Sequence, residues 1–265
     1  MLTLHDWNRM KEFKLVNCNA TLRYHDLPGD GVPIVFIHGI GCASSFDYPQ
    51  VASVGGLEGH RRILVDLIGS GFSDKPELFD YSIDNHADYL KELIEYLELD
   101  DFILYAHSMG GAVSIALAAR VEGRLRSLIL SEANLDAGGG FFSQKIAAYD
   151  EGDYQNYGHN DIVQESINSS NENWAASLSV SSPTAIHRTA CSLIKGSSPS
   201  WRQKYYALSC SKTYIFGSNS LPDPDFEELI KQHIDVVTVS EAGHSMAWEN
   251  PEGLAFAIRG AILKT

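Results

Sequence analysis

Residues 102–120, FILYAHSMGGAVSIALAAR, change character in their middle. They open as a short apolar run, break at Ala106-His107-Ser108-Met109-Gly110-Gly111, and resume with Val113, Ala116, Leu117 and Arg120 at helical spacing. The pattern predicts a strand, a sharp turn and a helix. A serine at such a turn has a strained backbone, which persists only where the residues two before and two after it carry almost no side chain. Here those residues are Ala106 and Gly110, an AxSxG version of the commoner GxSxG turn. The turn would raise the Ser108 hydroxyl at the carboxyl end of a sheet, above the positive end of the following helix. The competing reading is simpler, a serine that N-caps a helix.

Working outward, the apolar runs 34–37, 63–65, 125–130, 213–216 and 236–239 read as further strands, the first two continuous enough to be buried in the sheet. Residues 83–99 show helical periodicity through Ala87, Leu90, Leu93, Ile94 and Leu97, with Asp84 and Asp88 near the favourable N-terminal end. Helices are also expected at 225–232 and 254–263. Alternation over 14–25, followed by the turn cluster Leu27-Pro28-Gly29-Asp30-Gly31, predicts an opening antiparallel pair. Strands alternating with helices imply an α/β fold built on a doubly wound, mostly parallel sheet. The rhythm stops at about residue 135. From there to 209 the chain is rich in aromatics and amides and reads as short helices broken at Gly152, Gly158, Pro183, Gly196 and Pro199. We therefore expect a core domain from 1–134 and 210–265, with 135–209 inserted as a helical cap.

Composition narrows the function. A chain of 265 residues with 44% hydrophobic content can bury a substantial core. A net charge of −14 without a basic cluster opposes binding to nucleic acid or to anionic lipid. Cys18, Cys42, Cys191 and Cys210 lack metal or redox spacing, and we read them as reduced, buried small hydrophobes. Charges at Asp6, Arg9, Lys11 and Glu12 leave no room for a leader's apolar core, and no run is long enough to span a bilayer, so a cytoplasmic location is expected. The loop His38-Gly39-Ile40-Gly41 invites a dinucleotide reading, but Ser44 stands where the third glycine of GxGxxG belongs.

Four features occur together: His38-Gly39, the AxSxG turn, the DxxGxGxSxKP loop at 66–76, and Gly243-His244 followed by Asn250-Pro251-Glu252. With them the chain resembles the α/β-hydrolase family from about Val32 to its end. The resemblance implies an eight-stranded, mostly parallel sheet flanked by helices, with a cap entering after the sixth strand. It implies Ser108 as nucleophile, His244 as its base, and an oxyanion site made by the backbone N–H groups of Ile40 and Met109. His107 is expected to face away along the turn, and His38 to shape its loop.

The acid that orients the imidazole is less direct. In most of the family it lies three residues beyond a glycine like Gly217, where this chain has Ser220. Glu132, at the end of the sixth strand, is the favoured substitute, since some family members carry a glutamate there and a longer side chain suits a position one strand nearer the nucleophile. Asp223 is the alternative, followed by Asp136 and Asp225; Glu132 could instead be a salt-bridged strand-end residue.

The expected activity is hydrolysis of a carboxylic ester, or of a related acyl bond such as a lactone, thioester or amide, in a small, apolar or aromatic substrate through an acyl-enzyme on Ser108, with no metal or organic cofactor. Serine at the turn argues against dehalogenase and epoxide hydrolase chemistry, for which the family uses aspartate. A carbon–carbon bond hydrolase acting on a β-diketone-like substrate, and a non-catalytic ligand-binding member of the fold, are the other readings. Oligomeric state is left open.

Overall fold

The apolar runs become the middle of one sheet. The computed structural model describes residues 10–265, and its eight strands lie in the order β1-β2-β4-β3-β5-β6-β7-β8. They are β1 Lys11–Leu15, β2 Ala20–Leu27, β3 Gly31–Ile37, β4 His60–Asp66, β5 Phe102–His107, β6 Leu125–Ser131, β7 Ser211–Gly217 and β8 Asp235–Val239. Strand β2 is antiparallel to β1 and β4, and every other neighbouring pair is parallel. The antiparallel opening is present, but its turn spans 16–19. The Pro-Gly cluster at 27–31 instead leads β2 into β3, which is not its neighbour.

The helices are α1 Ser44–Asp47, α2 Pro49–Ala52, α3 Ile83–Tyr96, α4 Met109–Ala118, α5 Phe141–Ala147, α6 Glu151–Asp153, α7 His159–Asn168, α8 Glu172–Ser179, α9 Pro183–Lys195, α10 Trp201–Ala207, α11 Asp225–Lys231, α12 Met246–Glu249 and α13 Pro251–Ile262. Side chains alternate across the central strands. Val35, Ile37, Leu104, Ala106, Leu128 and Leu130 join the layer that contains α3 and α4. Ile34, Phe36, Ile103, Tyr105 and Ile129 join the opposite layer, with α2 and α13. This sandwich of helices around a sheet buried on both faces is why the strands read as unbroken apolar runs.

Helix α3 starts where Ser82 caps it by accepting from the Asn85 N–H at 3.2 Å. It ends at Tyr96, sooner than its periodicity suggested, because Glu98 has turned to a φ of 53°. Arg120, just past α4, ties back to Asp84 and Asp88 of α3 at 2.8 and 2.7 Å.

Helices α5 to α10 all lie between β6 and β7. Pro183 opens α9, Gly196 closes it at a φ of 73°, and Pro199 precedes the Ser200–Gln203 capping box of α10, as their residue types suggest. Gly152 and Gly158 do not break the chain. Residues 151–168 are continuously helical through a π turn at Tyr154–Gly158. Gly158 serves close packing: a Cβ there would lie 2.8 Å from the Tyr149 ring. The break falls later, at 169–171.

The four cysteines are free, but each is only partly buried, less enclosed than expected. Among the described residues no helix is long and apolar enough to cross a membrane. Asp6 and Arg9, part of the argument against a leader, lie outside the described residues.

Candidate active site

Ser108 follows the last residue of β5 and precedes α4, with φ 53° and ψ −122°. Its amide continues the sheet ladder, donating to Ser131 O at 3.0 Å. Gly110 makes the turn possible, because a Cβ there would lie 2.4 Å from the His38 carbonyl oxygen. Although Ser108 occupies the N-cap position, its side chain caps nothing. Its hydroxyl instead faces His244 Nε2 at 3.2 Å. The simple capping reading therefore does not hold.

The other nitrogen of that ring, Nδ1, lies 2.8 Å from Glu132 Oε2. Glu132 is the residue after β6, and its amide extends the ladder to Ile215 O at 3.1 Å. A φ of 39° swings its side chain across the end of β7 toward the His244 loop. Its second oxygen accepts the Gly217 N–H at 2.9 Å. Burial pushes the Glu132 carboxyl up, but hydrogen bonds from His244, Gly217 and Ser220 outweigh it and hold the group well below the usual carboxylate range. Ser220, standing where most of the family has its acid, thus supports a carboxylate supplied from the next strand.

The alternative acids are engaged elsewhere. Asp223 Oδ1 accepts the Asp225 N–H at 2.8 Å, and Asp136 and Asp225 both pair with Arg202, at 2.6 and 2.9 Å. No hydrogen bond joins any of the three to His244 among the described residues.

The loop before α1 lies against the serine. A Cβ on Gly39 would sit 3.2 Å from Ser108 Cβ, so the Gly39–Ile40 backbone passes directly alongside it. His38 shapes this loop from beneath, as expected: Leu67 N–H donates to its Nε2 at 3.0 Å, leaving Nδ1–H to donate to Gly39 O at 2.8 Å. Met109 follows Ser108 at the first position of α4, and Ile40 follows Gly39 in the loop beside it. No long helix opens on this glycine loop, contrary to a dinucleotide site.

His107 departs from expectation. Its ring lies against that of His244, tilted by 53° with centroids 4.5 Å apart, rather than facing away. Its Nδ1 sits 3.1 Å from both Ser131 O and Ser131 Oγ. Burial first, and the neighbouring His244 ring second, drive its pKa down to about 3, so it stays neutral and donates to the Ser131 carbonyl.

The sequence reading also missed Trp174, on α8. Its indole N–H donates to Ile40 O at 2.8 Å, and its ring stacks on Phe142 with centroids 4.1 Å apart. Abundant aromatics were the only signal, and nothing in their spacing singles out this one.

A cavity of about 450 Å3 opens over Ser108, His244 and Glu132, walled by Ile40, Ala133, Phe141, Phe142, Trp174, Tyr214 and Phe216. No group of three or more His, Cys, Asp or Glu among the described residues could hold a metal. A model of the alpha/beta hydrolase fold matches residues 32–251. The chain belongs to the α/β-hydrolase fold family. Similar curated proteins include a 2-hydroxy-6-oxo-2,4-heptadienoate hydrolase from Pseudomonas putida, 34% identical over 110 residues, covering 41% of this chain and 40% of that one. A haloalkane dehalogenase from Mycolicibacterium paratuberculosis is 35% identical over 120 residues, covering 43% and 39%. The chain thus matches about two fifths of the length of these relatives. Among solved structures, a thermophilic esterase from Thermogutta terrifontis has a TM-score of 0.77 at 21% identity, covering 97% of this chain and 98% of that one. At that identity the likeness shows the fold alone.

Proposed function

We propose that this α/β-hydrolase cleaves a carboxylic ester of a small molecule through an acyl-enzyme on Ser108. The observation that carries the reading is the relay from Ser108 Oγ to His244 Nε2, 3.2 Å, and from His244 Nδ1 to Glu132 Oε2, 2.8 Å. A serine hydroxyl is a weak nucleophile without a base in reach. His244 takes its proton as the oxygen attacks the ester carbonyl, and Glu132 stabilises the imidazolium. Negative charge on the carbonyl oxygen falls to the Ile40 and Met109 amides, each such donor being worth about 3 kcal/mol. His244 then protonates the departing alcohol, and water activated by the same ring releases the acid. The helices between β6 and β7 act as the cap, with Phe141, Phe142 and Trp174 shaping an apolar acyl pocket.

Serine at the turn separates this chain from dehalogenase chemistry, which the resemblance associates with aspartate. The ester reading is also favoured over carbon–carbon cleavage of a dienoate. That substrate carries a carboxylate, and the cavity presents Glu132, Asp223 and Asp225 with no lysine or arginine in its lining. We read the protein as cytoplasmic, with no nucleic-acid or membrane partner. A panel of p-nitrophenyl esters of graded acyl length, run beside a vinylogous 1,5-dione acid, tests the assignment. Ester turnover lost in Ser108→Ala supports it. Dione cleavage faster than every ester, or ester turnover retained in Ser108→Ala, overturns it.

A further inference from the structure

A second cavity of about 160 Å3 adjoins the first and shares Cys42, His107, Asn171, Trp174, His244 and Ser245 with it. Its separate walls include Tyr48, Tyr105, Trp248 and Asp47, with the exposed Glu172 and Glu249 also in its lining. A cavity of roughly this size accepts a benzene-sized group, and this one is aromatic in its walls but acidic in its one buried charge. Asp47 is 7% exposed, and it accepts hydrogen bonds from the Trp248 indole, at 3.1 Å, and from the Cys42 thiol. It forms no ion pair among the described residues, and no lysine or arginine lines the cavity. A carboxylate taken out of water without an opposite charge is costly, and aromatic faces attract cations.

We propose that this cavity is a subsite for a small alkylammonium group carried on the alcohol side of the ester, with Asp47 as its counter-charge. The inference rests on the ester reading above for its placement. Collapse of the tetrahedral intermediate breaks the bond between the acyl carbon and the alcohol oxygen. The electron pair stays on that oxygen, and His244 Nε2 returns to it the proton taken from Ser108. The alcohol portion therefore lies on the His244 side, and His244 lines this cavity. An amino alcohol leaves with its ammonium group between Asp47 and the rings of Trp174 and Trp248.

Binding is measured apart from chemistry by tryptophan fluorescence, titrating the Ser108→Ala chain with choline and with its neutral isostere 3,3-dimethylbutanol. Choline is expected to bind at least tenfold more tightly, and Asp47→Asn in the same background should bring it to the level of the neutral alcohol. Equal affinities before the Asp47 substitution, or a preference that survives it, overturn the proposal. The comparison of the two ligands decides the matter even if Asp47→Asn does not fold. In the wild type, the choline ester should exceed the dimethylbutyl ester in kcat/KM. Selective choline binding with no ester turnover upholds the subsite and refutes the hydrolytic reading, so the two fail separately.

Discussion

Ser108 and Glu132 occupy the same structural situation one strand apart. Each is the first residue past a parallel strand, each has a positive φ, 53° and 39°, and each keeps its amide bonded to the neighbouring strand. Backbone strain of this kind costs about 1–3 kcal/mol per residue and persists only where the surroundings over-determine it. The ladder bonds to Ser131 O and Ile215 O do so here. Glu132→Gln would place an amide where His244 Nδ1–H now donates, favouring the wrong tautomer, so kcat should fall by roughly 10³-fold or more. Asp223→Asn, whose carboxyl accepts the Asp225 N–H and makes no hydrogen bond to His244, should stay within about twofold of wild type on a neutral ester. The opposite ranking in steady-state kinetics would reassign the acid. Linkage gives a second readout. The Glu132 pKa is depressed on folding, so its contribution to stability is complete above the unfolded value of about 4.3 and is lost as pH falls below it. Denaturant midpoints should therefore show the gap between wild type and Glu132→Gln narrowing from pH 6 toward pH 2; a gap independent of pH would contradict the assigned ionisation.

At the scale of elements, the turn between β5 and α4 was legible because only small residues allow it, and the central strands because burial on both faces erases polar alternation. Glu132 was singled out because the family resemblance allows a glutamate at the end of the sixth strand where Ser220 leaves the common position without an acid, and His244 Nδ1 lies 2.8 Å from its carboxyl. That short helices follow β6 was legible, but not where each begins and ends. Glycine was read as a breaker at 152 and 158, where tertiary packing around Tyr149 and Tyr154 keeps the helix running. His107 was misread because a side chain's direction at a strained turn follows from neighbours remote in sequence, here Ser131 and His244. The contact between α8 and the Ile40 loop has no sequence signature. Gly41, at φ 69°, would place a Cβ 3.0 Å from the Trp174 indole, so loop and helix are fitted to one another. Trp174→Phe keeps a ring against Phe142 but leaves Ile40 O without its donor. If that bond holds the Ile40 amide in place, kcat should drop about tenfold with little change in KM. A rise in KM alone would make Trp174 merely a pocket wall.

For the whole molecule, the charge of −14 and the linings of both cavities point the same way. Esters bearing a carboxylate should be turned over more slowly than neutral esters of equal size, and added salt should narrow the difference by screening, over a Debye length of about 10 Å at 0.1 M. A preference for the anionic ester would contradict the electrostatic picture. The sheet makes the site by bringing together residues distant in sequence: Ser108 from β5, Glu132 from β6 and His244 from beyond β8 meet only because the strands carrying them lie in order. That convergence is tested most directly by intact-mass and peptide analysis after treatment with a fluorophosphonate. One adduct per chain is expected on Ser108, with labelling slowed in Glu132→Gln and lost in Ser108→Ala. A wild-type chain that takes no adduct, or takes it on another residue, would contradict the assignment.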